Sequence, residues 1–85
     1  MLSVEFSKRA AGFLRKAEKN LQERINEKIA ELRSNPFPQG VKKVVSDEGK
    51  LYRVRIGDYR ITYRVFYDKN QLFIADIDKR SKIYD

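Results

Sequence analysis

Residues 51–64 read LYRVRIGDYRITYR, and the fold turns on them. Apolar and basic residues alternate, the alternation breaks at Gly57-Asp58, and then it resumes. A half-buried strand has a side-chain period of two, so this stretch is two strands joined by a two-residue turn. Gly at the first turn position takes the positive φ that a type II′ hairpin requires. That turn sets a register: Ile56 opposite Tyr59, Arg55 opposite Arg60, Val54 opposite Ile61, Arg53 opposite Thr62, and Tyr52 opposite Tyr63. One face then carries Tyr52, Val54, Ile56, Tyr59, Ile61, Tyr63 and Val65, and it is a core face. The other carries Arg53, Arg55, Arg60, Thr62 and Arg64.

Like charges placed opposite each other on a hairpin cost roughly 0.2–1 kcal/mol per pair. Arg55 facing Arg60 is such a pair. A solvated strand face tolerates arginines, but here four converge, and the reading expects no acid on that face. The arrangement suits an anion site, above all one for phosphates.

Working outward, MLSVEF at 1–6 alternates and reads as a first strand. It starts at the first residue, which leaves no room for a targeting leader. Ser7 is a good N-cap, and Ala10, Phe13, Leu14 and Ala17 form a helical stripe. Asn20 with Glu23 resembles a capping box for a second helix, striped by Leu21, Ile25, Ile29 and Leu32. Ser34-Asn35-Pro36 ends it, because the residue before Pro avoids the α region. The charged faces of both helices read as solvated surface. Residues 37–40 form a connecting loop. A short strand is expected over 41–46, a turn over 47–50, another turn over 67–71, and a last strand, LFIADID, over 72–78. That strand is apolar on both faces at its start, as for a covered strand. Helices early and strands late give an α+β domain spanning 1–85, ordered βααββββ. An antiparallel sheet is expected, with the helical hairpin on its apolar face and the arginine face left open.

The chain has 85 residues and a net charge of +7, with no Cys and no His. The first 35 residues contribute +3 (eight basic, five acidic) and the rest +4 (eleven basic, seven acidic). Without Cys there is no disulfide, thiolate zinc site or cysteine nucleophile. Without His the usual general base and the commonest metal ligand are missing. No long apolar run suggests a membrane span or a signal peptide. A basic domain with five Tyr and five Phe suits a nucleic-acid or acidic-protein partner. No acidic cluster suggests a metal, and Asp76 and Asp78 lie two apart on one strand face without partners.

The order βααββββ, the core YRVRIGDYRITYRV and the closing KRSKIY resemble the RelE/ParE toxin superfamily, above all its archaeal RelE members, over essentially the whole chain. The resemblance implies a fold like a small microbial RNase, no cofactor, and a cytoplasmic enzyme that cleaves mRNA in the ribosomal A site. The ribose 2′-OH would attack the adjacent phosphate, and a cognate RelB-like antitoxin would wrap and block the toxin. Arg53 and Arg55 stand where the bacterial enzyme has two lysines. Arg60, after Gly57-Asp58-Tyr59, matches the family's arginine beyond the turn. Arg80 matches a basic residue near the C-terminus, and Tyr84 matches the closing tyrosine. These five are the implied catalytic set. Lys42, Lys43 and Arg64 are further RNA-binding candidates. Tyr84 would stack on a base, handle a proton, or simply pack the tail. Arg in place of Lys keeps the charge but is a poor general base. Two other readings stand beside this one: a ParE-like inhibitor of DNA gyrase, and a non-catalytic RNA- or protein-binding module.

Overall fold

The computed structural model describes residues 1–46 and 49–79. Among them the order is β1 (Ser3–Phe6), α1 (Lys8–Lys16), α2 (Lys19–Ser34), β2 (Lys42–Ser46), β3 (Gly49–Ile56), β4 (Tyr59–Phe66) and β5 (Gln71–Lys79). A single 3₁₀ turn, Tyr67–Lys69, joins β4 to β5. The sheet runs β1-β5-β4-β3-β2.

The central hairpin has the expected register, from Tyr52 opposite Tyr63 to Ile56 opposite Tyr59. Gly57 sits at φ +56°, as a primed turn requires. It also makes room, since a Cβ here would lie 2.8 Å from Nη2 of Arg24 on α2.

The sheet is mixed. β2 to β5 form an antiparallel meander, but β1 lies parallel to β5, with Ser3 opposite Gln71 and Phe6 opposite Ile74. The expectation of a wholly antiparallel sheet is corrected here. Parallel neighbours cannot be joined by a tight turn; β1 and β5 are separated by nearly the whole chain and meet as the two chain-distant strands of one sheet.

Ser7 caps α1 as expected. Its Oγ accepts from Ala10 N at 3.0 Å and donates to Ala75 O at 2.7 Å. The same residue therefore starts the helix and ties it to β5. The capping box at Asn20 does not form. Helix α2 starts earlier, with Glu18 as N-cap and no side-chain cap. The connection between the helices is short, and Gln22 Nε2 reaches back to Leu14 O at 2.8 Å. This tether, together with the tight join, sets the helix start in place of an Asn20 cap.

Ile25, Ile29 and Leu32 of α2 are buried against Val54, Ile56, Ile61, Tyr63, Leu72, Ile74 and Ile77 of the sheet. Each such side chain stabilises the fold by roughly 1.5–3 kcal/mol. Tyr63 is fully buried and its hydroxyl donates to Pro36 O, pinning the loop after α2. Burial raises the pKa of that hydroxyl well above the ordinary tyrosine value, and the nearby Tyr52 and Tyr67 add to the shift. Tyr63 is thus a neutral core donor. Gly49 and Lys50, expected in a turn, belong to β3.

Candidate nucleic-acid interface

The open face is set by pairing across four strands. Arg53 faces Thr62, Arg55 faces Arg60, and Lys42 faces Arg53 on its other side. These cations therefore share one face near the turn. Lys43 faces Tyr52, so alternation turns it to the opposite side of the sheet, away from the arginines.

Strand β5 contributes what sequence alternation hid. Ile74 and Ile77 are three apart, yet they are 0% and 1% exposed on the same core face. Strict alternation would separate them. The register shifts between Thr62 and Tyr63: Tyr63 faces Ile74, while Thr62 faces Asp76. Ala75 is the extra residue of a β-bulge. The bulge resets the parity, keeps Ile77 in the core, and turns Asp76 and Asp78 to the open face. Arg60 faces Asp78 and bonds it side-on, Nε to Oδ1 at 3.2 Å and Nη2 to Oδ2 at 3.4 Å. The Arg60 side chain is only 18% exposed, and that of Asp78 is 45% exposed.

Two expectations are corrected by this geometry. The arginine face does carry acid, and both aspartates have cationic neighbours, since Asp76 Oδ2 lies 3.7 Å from Arg9 Nη1. Asp78 offsets part of the repulsion between Arg55 and Arg60. Among the described residues no group of three or more acidic side chains is close enough to hold a metal ion.

Arg64 does not join the others. Four residues along β4 set it about 13 Å from Arg60. Its guanidinium lies 4.8 Å from the centroid of Phe66, which packs edge-on against Phe73 at 6.4 Å. Lys69 approaches the same ring at 5.4 Å. This far end of the face is aromatic, with its cations stacked on rings. Arg80 and Tyr84 lie outside the described residues.

Helix α2 adds cations that the sequence reading assigned to solvated surface. Beyond Lys42, β2 no longer covers the outer edge of β3. Two adjoining clefts open there. One, of about 410 Å³, is lined by Arg24, Glu27, Lys28, Glu31, Arg55, Ile56 and Gly57. The other, of about 320 Å³, is lined by Lys28, Gln39, Gly40, Lys42, Arg53, Val54 and Arg55. Lys28 and Arg55 border both. The available signal was that Arg24 and Lys28 are four apart on one helical face, but nothing in the sequence aimed that face at the hairpin. A groove with arginines at its centre and flanking lysines can hold consecutive phosphates of one strand.

No helix among the described residues is long and apolar enough to cross a membrane. Residues 4–84 match the family model described as the ParE toxin of type II toxin–antitoxin systems, parDE. The chain is 31% identical over 85 residues to RelE1 of Methanocaldococcus jannaschii, a protein assigned as a toxin, covering 96% of this chain and 93% of the relative. In structure it is similar to the archaeal RelE–RelB complex from Pyrococcus horikoshii OT3, with a TM-score of 0.81 and 27% identity over 95% of this chain and 97% of that one. The isolated E. coli RelE toxin has the same fold, with a TM-score of 0.82 and 21% identity over 96% and 87% of the two chains.

Proposed function

Because the chain belongs to the RelE/ParE superfamily of type II toxin–antitoxin toxins, we propose that it is a ribosome-dependent endoribonuclease that cleaves mRNA in the ribosomal A site. The observation that carries this reading is the convergence of Arg53, Arg55 and Arg60 on one rigid hairpin face, with Lys42 beside them. In the proposed reaction the ribose 2′-oxygen forms a bond to phosphorus and loses its proton, while the bond from phosphorus to the 5′-oxygen breaks and that oxygen gains a proton, leaving a 2′,3′-cyclic phosphate and a 5′-hydroxyl. Arg53, Arg55 and Arg60 bind the scissile phosphate and its neighbour, and they stabilise the added negative charge of the pentavalent transition state. Guanidinium groups are poor bases, so their contribution is electrostatic and positional. The ribosome supplies the rest of the orientation by holding the strand near in-line geometry. Arg80 and Tyr84 remain catalytic candidates by resemblance.

The fold's relatives include toxins solved with RelB antitoxins, and a RelB-like antitoxin is the proposed partner of this chain. The +7 charge favours an acidic segment that folds on binding, as well as salt-sensitive docking to ribosomal RNA. The family model's own description favours a second reading, a ParE-like inhibitor of DNA gyrase that does no RNA chemistry. Primer extension on a defined mRNA, with and without programmed ribosomes, separates the two. Cuts confined to the A-site codon and dependent on ribosomes support the nuclease. Inhibition of gyrase supercoiling without any cuts supports the second reading.

A further inference from the structure

We propose that Asp78 is a positioning residue that sets the orientation in which Arg60 meets a phosphate. The inference rests on reading Arg60 as a phosphate-binding group. The bulge at Ala75 puts Asp78 directly across from Arg60. The carboxylate then takes the Nε–Nη2 edge of the guanidinium through two hydrogen bonds. An arginine side chain has several rotatable bonds, and a planar side-on pair fixes the plane of its guanidinium. With that edge engaged, the plane and direction of the whole guanidinium are defined. Burial of Arg60 narrows its freedom further.

A carboxylate in an anion site is costly for binding because it repels the ligand. It neutralises the largely buried Arg60 guanidinium. It also orients that guanidinium, and orientation has a distinctive consequence. Removing Asp78 takes away repulsion and also lets Arg60 move, so binding and chemistry change in opposite directions. Misplacing a catalytic group by about 1 Å can cost on the order of 10²-fold in rate.

The test uses full-length protein carrying Asp78→Ala, Asp78→Asn, Arg60→Lys, or Asp78→Ala with Arg60→Lys, each checked for folding by thermal melting. In cleavage by programmed ribosomes, Asp78→Ala should lower kcat about 10- to 100-fold. KM should stay level or fall a few-fold, and Asp78→Asn, which keeps one acceptor, should lie between. In the Arg60→Lys background, Asp78→Ala should change kcat by about twofold or less, because Asp78 acts through Arg60. Unchanged kcat in Asp78→Ala overturns the proposal. So does a loss that persists undiminished in the Arg60→Lys background, which would mark Asp78 as acting independently, for instance on the 2′-OH proton. NMR of the Arg60 Nε–Hε group supplies a readout that does not need cleavage. Its signal should be exchange-protected in the wild type, and it should shift and lose protection in Asp78→Ala. Titration with inorganic phosphate should move the wild-type signal. A signal indifferent to Asp78→Ala contradicts the proposal. Absence of wild-type cleavage would sink the nuclease reading alone, and the NMR arm would still decide whether Asp78 holds Arg60.

Discussion

The two ends of the open sheet face are built from the same strands but make different surfaces. Near the Gly57-Asp58 turn, Arg53, Arg55 and Arg60 converge, and Arg60 is held by Asp78. At the far end Arg64 lies over Phe66, and Phe66 packs against Phe73. In the first region Arg55 and Arg60 stand directly opposite each other on the hairpin, a like-charge pairing with a cost in repulsion. In the second a guanidinium is stacked on an aromatic ring, a stabilising arrangement. The proposed anion site is the turn-proximal end.

The bulge is what makes the ends differ, and the position it turns inward is the most damaging place to test it. Strict alternation through Ala75 would put residue 77 on the open face and the aspartates in the core, whereas with the bulge Ile77 is buried opposite Ile61. Ile77→Asp therefore places an unpaired carboxylate in the core. Burying an unpaired carboxylate costs several kcal/mol, and losing a core Ile costs about 2–5 kcal/mol more. The variant should not fold, as read by circular dichroism. A folded, cooperative variant would mean that the bulge does not set the parity.

Next in size is Arg60→Ala. Removing one preorganised donor to a transition state typically costs about 10²–10³ in rate. Cleavage should fall by that factor while ribosome affinity drops only a few-fold, as expected for a single phosphate contact. A large loss of affinity with an unchanged rate would favour the binding-module reading.

Legibility from sequence followed the same division. The hairpin register, both faces of β3 and β4, the Ser7 cap and the core stripe of α2 all follow from local rules, and they stand as read. What stayed hidden depended on long-range pairing. Ala75 has no sequence mark that distinguishes a bulge residue from an ordinary strand residue, so the facing of Asp76 and Asp78 could not be read. The aim of Arg24 and Lys28 at the hairpin needs the docking of α2 on β3. The parallel placement of β1 depends on the helices that separate it from the meander. Asn20 looked like a cap because its local pattern fits, but the short tether through Gln22 decided the helix start.

Tyr63→Phe examines the core beneath both ends. It removes the donor to Pro36 O and should cost about 1–3 kcal/mol near neutral pH. The ordinary tyrosine value is 10.0 and the folded value is raised above it, so the unfolded chain releases this proton first. The resulting stability is complete below a pH of about 10 and declines as pH rises beyond it, by about 1.4 kcal/mol per unit. The gap between wild type and Tyr63→Phe in denaturant unfolding should therefore narrow above that pH. A constant gap would contradict the buried, neutral hydroxyl.

The smallest effect is expected for Arg64→Ala. It should remove a ring contact worth about 0.5–1 kcal/mol and leave cleavage within about twofold of the wild type. Thermal melting and single-turnover cleavage read the two quantities separately.

The most direct measurement is quantitative primer extension on ribosome-bound mRNA with wild-type, Arg60→Ala and Arg64→Ala proteins side by side. The account predicts A-site cuts with the wild type, near-complete loss with Arg60→Ala, and retention with Arg64→Ala. Equal loss in both variants, or cuts that survive Arg60→Ala, would contradict the assignment of the turn-proximal end as the reacting site.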